Sequence, residues 1–317
     1  SLRGVHPEGE APPPAVGAPR TSISRRRARK RPLVPGDRGY SLPMPVFALW
    51  SAPRSRSTAF FRSMLERGDL LALHEPLEGL HFIGPTQIAT QTFESPPELL
   101  GWLVHDTENR AVFLKETVNP PVQEFVLDDL RFLAEVHHAF LIRRPEEIAA
   151  SWYALEGDMR ILDTGLETLR DLFVAVRIAE GHAPVVIDSG DLIARPAETM
   201  AAYCASVGLP FIADALQWEQ GERPEWSRSS RWHEDAAASS GFQQPRHPDR
   251  HALARHPEVL RFARRHMPFY EELWDHRLDV APSDCHPSRG SDLSTMSWDR
   301  TSSHKPPGSV RGPDLNR

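Results

Sequence analysis

The residues best suited to chemistry stand in a polar loop at residues 53–58, which holds two arginines and three hydroxyl side chains. Arginine presents a planar fork of N–H donors that matches the oxygens of phosphate or sulfate. A predicted helix follows the loop, and a helix that begins after a strand offers free backbone N–H groups to an anion. The pattern predicts an anion cradle; a capped helix with solvated arginines is the alternative. The side chains concerned are Arg54, Ser55, Arg56, Ser57 and Thr58, of which Ser57 and Thr58 could also cap the helix.

Charged side chains follow the apolar runs that predict buried strands. The predicted strands are residues 46–50, 70–73, 111–115, 138–143 and 185–188. Strands alternate with helical patterns over residues 46–215, which predicts an α/β fold with a mostly parallel sheet and helices on both faces. In such a sheet, ligands bind at the carboxyl ends of the strands. Those ends carry Arg54, His74, Glu75, Lys115, Arg143 and Asp188.

Four further segments complete the predicted domain. Residues 86–102 mix polar and apolar residues, which predicts a helical or irregular excursion where a pocket could form. Residues 122–134 carry an apolar stripe at helical spacing, which predicts one helix. In residues 226–242, Trp and His are interleaved with polar residues, which predicts a surface loop, and residues 256–274 predict a closing amphipathic helix.

The composition is that of a soluble globular protein. The chain has 317 residues, of which 40% are hydrophobic and 25% charged, and its formal net charge is −6. Its two cysteines, Cys204 and Cys285, form neither a metal-spaced pair nor a disulfide framework, which fits a reducing cytoplasm. No apolar run approaches the ~20 residues that a membrane span requires. We therefore expect a cytoplasmic protein that has no membrane partner.

Proline and charge dominate both ends of the chain. Residues 1–44 contain APPPAVGAP and SRRRARKRP, which predicts a disordered basic arm, and residues 282–317 predict a disordered tail. Residues 45–281 then form the α/β domain. The arm could contact nucleic acid or an acidic surface, but a solvated tail is favoured, so nucleic acid is not expected as a partner.

Two separated motifs resemble those of the sulfotransferase family, P-loop-like enzymes that use 3′-phosphoadenosine 5′-phosphosulfate (PAPS). The polar loop looks like the family loop that holds the 5′-phosphosulfate, and Arg143 with Ser151, eight residues later, looks like the pair that grips the 3′-phosphate. The resemblance spans residues 46–242 and is to the bacterial type. It implies the P-loop-NTPase-like sulfotransferase fold, PAPS as the sulfuryl donor and no metal. The family's late basic loop, which closes over the 3′-phosphate, would correspond to Arg228 and Arg231.

The resemblance also implies where the reaction would occur. Cytosolic animal members take their base from a histidine after a lysine–threonine pair, whereas this chain has Thr117 at that place, two residues after Lys115. The base is therefore expected after the second strand, with Glu75 as the first candidate and His74 as the second. Lys115 could stabilise the bridging oxygen, and Arg54 could meet the charge on the leaving oxygen. The implied acceptor is a hydroxyl or amine of a small molecule.

Other functions are compatible with parts of this pattern. A nucleotide kinase or ATPase would carry G-x-x-x-x-G-K-[ST], and the loop has neither its glycines nor its lysine. The chain could also keep a sulfotransferase-like fold without PAPS chemistry, as a binding protein or as an enzyme for another reaction. One departure bears on this alternative: family members often have glycine, which reaches positive φ at little cost, where this chain has Arg56.

Overall fold

A five-stranded sheet lies at the centre of the computed structural model, which describes residues 44–105, 107, 110–159, 165–243 and 255–280. The strands of this sheet are β1 (Val46–Ser51), β2 (Leu71–His74), β5 (Val112–Thr117), β6 (His137–Ile142) and β7 (Val185–Asp188). Two short strands, β3 (Thr86–Ile88) and β4 (Gln91–Phe93), form a separate hairpin. The central sheet has the order β2-β5-β1-β6-β7, and all its strands run parallel. The predicted α/β class with a parallel sheet is thereby confirmed.

Helices connect the strands and cover both faces of the sheet. They are α1 (Ser57–Glu66), α2 (Pro76–Phe82), α3 (Pro96–His105), α4 (Pro120–Asp128), α5 (Leu130–Glu135), α6 (Pro145–Glu156), α7 (Gly165–Glu180), α8 (Ser189–Ala194), α9 (Pro196–Val207), α10 (Glu234–Ala237) and α11 (Pro257–Trp274). Two 3₁₀ segments, Ala213–Leu216 and Pro224–Trp232, lie between α9 and α10. Several helices begin with proline, whose fixed φ suits the first helical turn.

Strand β1 shows how the sheet divides the core. Its side chains alternate between the two faces, since successive residues of a strand point in opposite directions. Val46, Ala48 and Trp50 pack into the cluster that includes α3 to α7 and α11. Phe47 and Leu49 pack into the second cluster, with α1 and α9. Because both faces are covered, the strand is apolar at every position from Val46 to Trp50, which is why its sequence predicts burial rather than amphipathic alternation.

Two predicted segments differ from the structure. Residues 86–102, predicted as a helical or irregular excursion, begin with the antiparallel hairpin of β3 and β4, which was not expected, and continue into the helix α3. Residues 122–134 belong to two helices, not one, because Asp129 interrupts the pattern. The Asp129 side chain accepts hydrogen bonds from the backbone N–H groups of Arg131 and Phe132, so it caps α5 directly after α4 ends.

The prediction of a surface loop at residues 226–242 is wrong. The segment begins within a 3₁₀ turn, includes α10, and contacts β2 and α1. Trp226 is only 1% exposed, and its ring packs against those of Phe61 and His74. Polar residues surround the tryptophans in the sequence, so the local pattern looks solvated, but the large aromatic surfaces are buried by residues distant in the chain.

Most of the two predicted tails, residues 1–44 and 282–317, lies outside the described residues, and their predicted disorder stays a prediction. Among the described residues, no helix combines the length and the apolar character needed to cross a membrane.

Candidate active site

The loop between β1 and α1 holds two arginines in a strained backbone. Arg54 has φ 62° and Arg56 has φ 67°, in the left-handed region that costs a residue with a Cβ about 1–2 kcal/mol. Arg56 is the N-cap of α1, so Ser57 and Thr58 lie inside the first turn, and no described side chain caps this helix. The capping role predicted for Ser57 and Thr58 is therefore wrong. Arg56 adopts the backbone conformation that glycine would take more easily.

The two arginine motifs contact each other at the carboxyl edge of the sheet. Arg143, directly after β6, donates from Nη1 to the main-chain oxygen of Arg54 at 2.7 Å. Arg54 in turn donates from Nε to the hydroxyl of Ser151 at 3.1 Å, and from Nη1 to the carbonyl oxygen of Trp232 at 2.7 Å. Parallel pairing of β1 with β6 places both motifs at one edge, so residues 89 positions apart become neighbours.

Glu147, in the first turn of α6, joins the two motifs. Its Oε2 accepts hydrogen bonds from Arg56 at 3.1 Å and from Arg143 at 3.0 Å. Burial opposes ionisation of this carboxyl, but Arg143 and Arg56 outweigh that effect and lower the pKa of Glu147. The ionised carboxylate therefore fixes both guanidinium groups. Arg56 also donates to the carbonyl oxygen of Ser189 at 3.2 Å.

A second group of charges surrounds Glu75, which precedes α2 with φ 49°. Lys115 makes a salt bridge with Glu75 Oε1, and the Thr117 hydroxyl donates to the same oxygen at 2.6 Å. Burial by itself would raise the pKa of Glu75, but Lys115 and these hydrogen bonds reverse the effect and hold the pKa far below its ordinary value. Glu75 is thus an ionised carboxylate, and Thr117 contributes to keeping it so.

His74 is a neutral imidazole beside this carboxylate. Its side chain is 2% exposed, and its Nδ1 lies 3.7 Å from Glu75 Oε2. Burial, and then the positive charge of Lys115, lower the pKa of His74 to about 3. Its Nε2 is buried and makes no hydrogen bond within the described part of the chain.

Two more carboxyl groups, which the sequence did not single out, lie around Lys115. Glu116 is fully buried and accepts a hydrogen bond from a backbone N–H in the first turn of α2 at 2.5 Å; burial raises its pKa well above the ordinary value. Glu78, in the same turn, accepts from the Asn119 amide at 3.4 Å. Burial, and then the charge of Glu75, raise the pKa of Glu78 to about 7.

Sequence reasoning also missed His233. Its Nδ1 lies 2.9 Å from the hydroxyl of Thr58, and its Nε2 lies 3.0 Å from that of Ser229. The ring meets His74 edge to face, with 4.9 Å between centroids. Burial, and then Lys115, lower the pKa of His233 to about 4. No local pattern marks this residue, because its contacts with Thr58 and His74 are made across elements.

The arginines of the two motifs and the charged residues around Glu75 line one cavity of about 1300 Å³. That volume exceeds the roughly 300–1,000 Å³ of a pocket for one drug-sized ligand, so it has room for two reactants. Within the described ranges, every non-glycine residue with positive φ lines this cavity. Such strain costs energy and concentrates at functional sites, which marks the cavity as the candidate active site. These strained residues are Arg54, Arg56, Glu75 and Ala89.

A family model described as "Sulfotransferase domain" matches residues 44–276. The chain belongs to this family. The resemblance stated from the motifs is thereby confirmed, and the assignment supports sulfotransferase activity.

Two curated relatives of the sulfotransferase domain come from Arabidopsis thaliana. Branched-chain-amino-acid aminotransferase-like protein 2 is 29% identical over 217 residues, which are 64% of this chain and 37% of that protein. Branched-chain-amino-acid aminotransferase-like protein 1 is 28% identical over 239 residues, which are 73% of this chain and 42% of that protein. The chain thus spans about two fifths of the length of these relatives.

Two solved structures are similar to the sulfotransferase domain. One is the sulfotransferase domain from the curacin biosynthetic pathway, with a TM-score of 0.42, 15% identity, and coverage of 68% of this chain and 97% of that chain. The other is the sulfotransferase domain from the Synechococcus PCC 7002 olefin synthase, with a TM-score of 0.43, 14% identity, and coverage of 68% and 94%.

Arg231 and Asp188 make contacts outside the arginine pair. Arg231 pairs with Glu156 and stacks over the ring of Trp232, 4.5 Å from its centroid, with 59% of its side chain exposed. Arg228 belongs to the same 3₁₀ segment, Pro224–Trp232. Asp188, at the end of β7, does not line the cavity. Its carboxylate caps α8 and accepts a hydrogen bond from the Tyr270 hydroxyl at 3.1 Å, so its contacts are structural.

A possible cation site overlaps the carboxylate group. Ligand atoms of His74, Glu75 and His233 all lie within 4.8 Å of one another. Lys115 already pairs with Glu75, and both ring nitrogens of His233 lie within hydrogen-bond distance of hydroxyls. A metal ion would have to displace these contacts and would lie beside the positive charge of Lys115.

Proposed function

We propose that this domain transfers a sulfuryl group from PAPS to a hydroxyl or amine of a small molecule. The observation that carries the proposal is the contact between the two arginine motifs, in which Arg143 binds the backbone of Arg54 and Arg54 binds Ser151. PAPS bears a phosphate at the 3′ position and a phosphosulfate at the 5′ position. A cleft with adjoining guanidinium groups matches such a doubly anionic donor.

The donor's 5′ end would lie on the loop between β1 and α1. Ser55 supports this placement: its hydroxyl is fully buried, lines the cavity, and has no hydrogen-bond partner within the described part of the chain. A buried hydroxyl without a partner is uncommon in a folded protein, and a phosphate oxygen would satisfy it. Backbone N–H groups of the loop, with the hydroxyls of Ser57 and Thr58, would complete this side.

The donor's 3′-phosphate would bind Arg143 and Ser151. Ser151 is buried in α6 and already meets a guanidinium, so its hydroxyl is held in a position to accept from Arg54 and donate to a phosphate oxygen. Arg228 and Arg231, in the 3₁₀ segment, would close over this phosphate. Arg231 would then exchange its contact with Glu156 for the donor.

Transfer would proceed in line, through a loose transition state in which positioning and charge stabilisation do most of the work. The acceptor oxygen or nitrogen forms a bond to sulfur while the bond from sulfur to the phosphate oxygen breaks. Negative charge then develops on that phosphate oxygen, where Arg54 and the loop N–H groups would stabilise it. One preorganised donor of this kind lowers a barrier by about 3–4 kcal/mol.

Glu75 would take the acceptor's proton. Its carboxylate is ionised and lines the cavity, but the pairing with Lys115 makes it a weak base. When Lys115 turns toward the bridging oxygen of the bound donor, it releases Glu75, and the carboxylate becomes more basic. Donor binding would thereby activate the base, while neutral His74 is the second candidate for this role.

The acceptor side of the cavity is partly apolar. Phe82 and Ile83, at the end of α2, are 60% and 59% exposed and line the cavity with Ile88 of the hairpin. Exposed aromatic and aliphatic side chains beside polar catalytic groups are typical of a site for a ligand with an apolar part. The acceptor would therefore carry its hydroxyl or amine on an apolar body.

The proposal also covers the compartment and the extent of the domain. The free thiol of Cys204 supports a reducing compartment, and the family match over residues 44–276 supports a single domain. Residues 45–281 would act as one domain in a reducing cytoplasm.

The proposal is tested with the desulfated donor, 3′-phosphoadenosine 5′-phosphate. Isothermal titration calorimetry measures its binding to wild type, Arg143→Ala and Arg144→Ala. Arg144→Ala is the matched control, because Arg144 is 57% exposed and pairs with Glu146 outside the cleft. We expect binding by wild type and Arg144→Ala, and a loss of at least tenfold in Arg143→Ala.

Transfer is then measured with PAPS and a panel of alcohols and amines of increasing chain length, with and without a chelator. Release of the desulfated nucleotide that requires an acceptor, and that the chelator leaves unchanged, supports sulfuryl transfer. Equal binding by the two arginine variants would contradict the donor site. Binding of ATP that strictly requires Mg²⁺, without release from PAPS, would favour a nucleotide kinase.

A further inference from the structure

Glu75 is placed to accept a proton but poorly placed to release it. One of its oxygens is held by both Lys115 and Thr117, and its other oxygen faces the neutral ring of His74 at 3.7 Å. A proton that arrives from an acceptor must leave before the next turnover, because Glu75 has to be ionised again. The question is which neighbouring group receives it.

Glu78 is the neighbour that fits. It lies one turn further along the chain, in the first turn of α2, close enough to Glu75 for the charge of that carboxylate to raise the pKa of Glu78. Both carboxyl groups line the cavity, so a proton held by Glu78 can pass to water there. Asn119 holds its other side at 3.4 Å. Two carboxyl groups that share a site do not both ionise readily, so one of them tends to hold a proton.

We propose that Glu78 is the proton-relay residue of this site, which takes the acceptor's proton from Glu75 and passes it to solvent. The inference rests on the proposed function and adds a residue to it. In the step, the O–H or N–H bond of the acceptor breaks as the bond to sulfur forms, and the proton moves to the Glu75 carboxylate. It then moves to ionised Glu78, and from there to water in the cavity.

The charges around Glu78 suit this exchange. From β2 and β5, Glu75 opposes its ionisation, Lys115 favours it, and Glu116 lies close enough for the two carboxyls to affect each other. Burial and Glu75 prevail, which gives the pKa of about 7 stated above. A relay is most effective when its pKa lies near the working pH, since it then gains and loses a proton with similar ease. Burial raises the pKa of Glu116 well above its ordinary value and separates this carboxyl from solvent, so it is not suited to exchange protons with the cavity.

The matched variants are Glu78→Gln and Glu98→Gln. Both residues are glutamates in the first turn of a helix that begins with proline, but Glu98 is exposed on α3 and does not line the cavity. For wild type, kcat is expected to rise with pH through about 7, because Glu78 must be ionised to receive the proton. In Glu78→Gln, kcat should fall by up to about 100-fold and lose this rise, while Glu98→Gln should keep both.

A second measurement does not depend on activity. Glu78 binds its proton more tightly in the folded state than in the unfolded state, so it stabilises the wild type fully at low pH and loses that contribution as pH rises toward about 7. The Tm of Glu78→Gln, relative to wild type, should therefore increase between pH 5 and pH 8. The relative Tm of Glu98→Gln should stay constant.

The outcomes separate the two proposals. If the relative Tm of Glu78→Gln rises with pH but PAPS gives no transfer, the raised pKa of Glu78 is supported. The proposed function is then rejected, and the relay with it. Transfer by Glu78→Gln with the wild-type pH profile would overturn the relay and leave the proposed function standing. A lower kcat with an unchanged profile would also overturn it, because a purely structural role predicts that result.

Discussion

The two halves of the cavity use charge in opposite ways. On the β1–β6 side, Arg54, Arg56 and Arg143 come together, and the Glu147 carboxylate binds the last two, so cationic groups dominate. On the β2–β5 side, carboxyl groups surround Lys115, and the pKa values of Glu78 and Glu116 are raised, so proton-holding groups prevail there. The first arrangement suits an anionic donor, and the second suits the removal of a proton. One sheet edge thus separates two tasks by the kind of ionisable group that each pair of strands delivers.

The strongest test of this contrast removes the cation from the carboxyl side. Lys115→Met would leave Glu75 as a buried charge without its partner, which is expected to lower the free energy of unfolding by about 3–5 kcal/mol. Transfer should be lost as well. Chemical denaturation and an assay with PAPS measure the two effects.

A double variant, Lys115→Met with Glu75→Gln, serves as the control for that test. It should recover most of the stability, because no uncompensated charge remains, but it should stay inactive. The single variant should also lose more stability at pH 8 than at pH 5, since acid can neutralise the unpaired carboxylate. Equal stability of wild type and Lys115→Met at pH 8 would show that the pair contributes nothing to the fold.

A smaller effect is expected when the carboxylate of the cationic side is removed. Glu147→Gln should lower the free energy of unfolding by about 1–2 kcal/mol, because two guanidinium groups lose a shared acceptor that is 40% exposed. The desulfated nucleotide should raise its Tm by more than it raises that of wild type, since phosphate oxygens replace the missing charge. Differential scanning fluorimetry measures both.

Glu146→Gln is the matched control for Glu147→Gln. Glu146 is the neighbouring residue in α6, and it pairs with the exposed Arg144 instead of the cleft arginines. It should change neither the stability nor the response to the nucleotide by a measurable amount. A nucleotide response in Glu147→Gln that is no larger than in wild type would argue against phosphate binding on this side.

The smallest effect is expected for Arg56→Gly. Relief of the left-handed backbone gains about 1–2 kcal/mol, whereas the lost ion pair costs about 0–1 and the greater freedom of unfolded glycine about 0.5–1. The free energy of unfolding should therefore stay within about 1 kcal/mol of wild type in a urea titration. A loss above 2 kcal/mol would identify Arg56 as a structural anchor of the loop.

The parts of the site that follow strands were predictable. Apolar runs locate buried strands, and a parallel sheet sends their carboxyl ends to one edge, so Arg54, Glu75, Lys115 and Arg143 were expected to gather there. Asp188 satisfies the same rule but faces away from the cavity, where it caps α8. A position at the end of a strand determines the edge and not the direction of the side chain.

The residues that sequence reasoning missed come from helices and from the late segment. Glu78 and Glu147 look like ordinary acidic residues in a first helical turn, which the helix dipole favours at any surface. His233 lies in a stretch that predicts a solvated loop. Their roles depend on partners in other elements, which no local pattern reports.

The sequence by itself determined the parallel sheet, the order of its strands along the chain and the cationic character of the loop after β1, because each follows from local periodicity and residue type. Only the tertiary structure decided that Glu147 joins Arg56 to Arg143, that Lys115 is surrounded by carboxyl groups, and that His233 reaches Thr58. The physical reason is that charge interactions depend on distance and burial, and both are set when distant segments pack together.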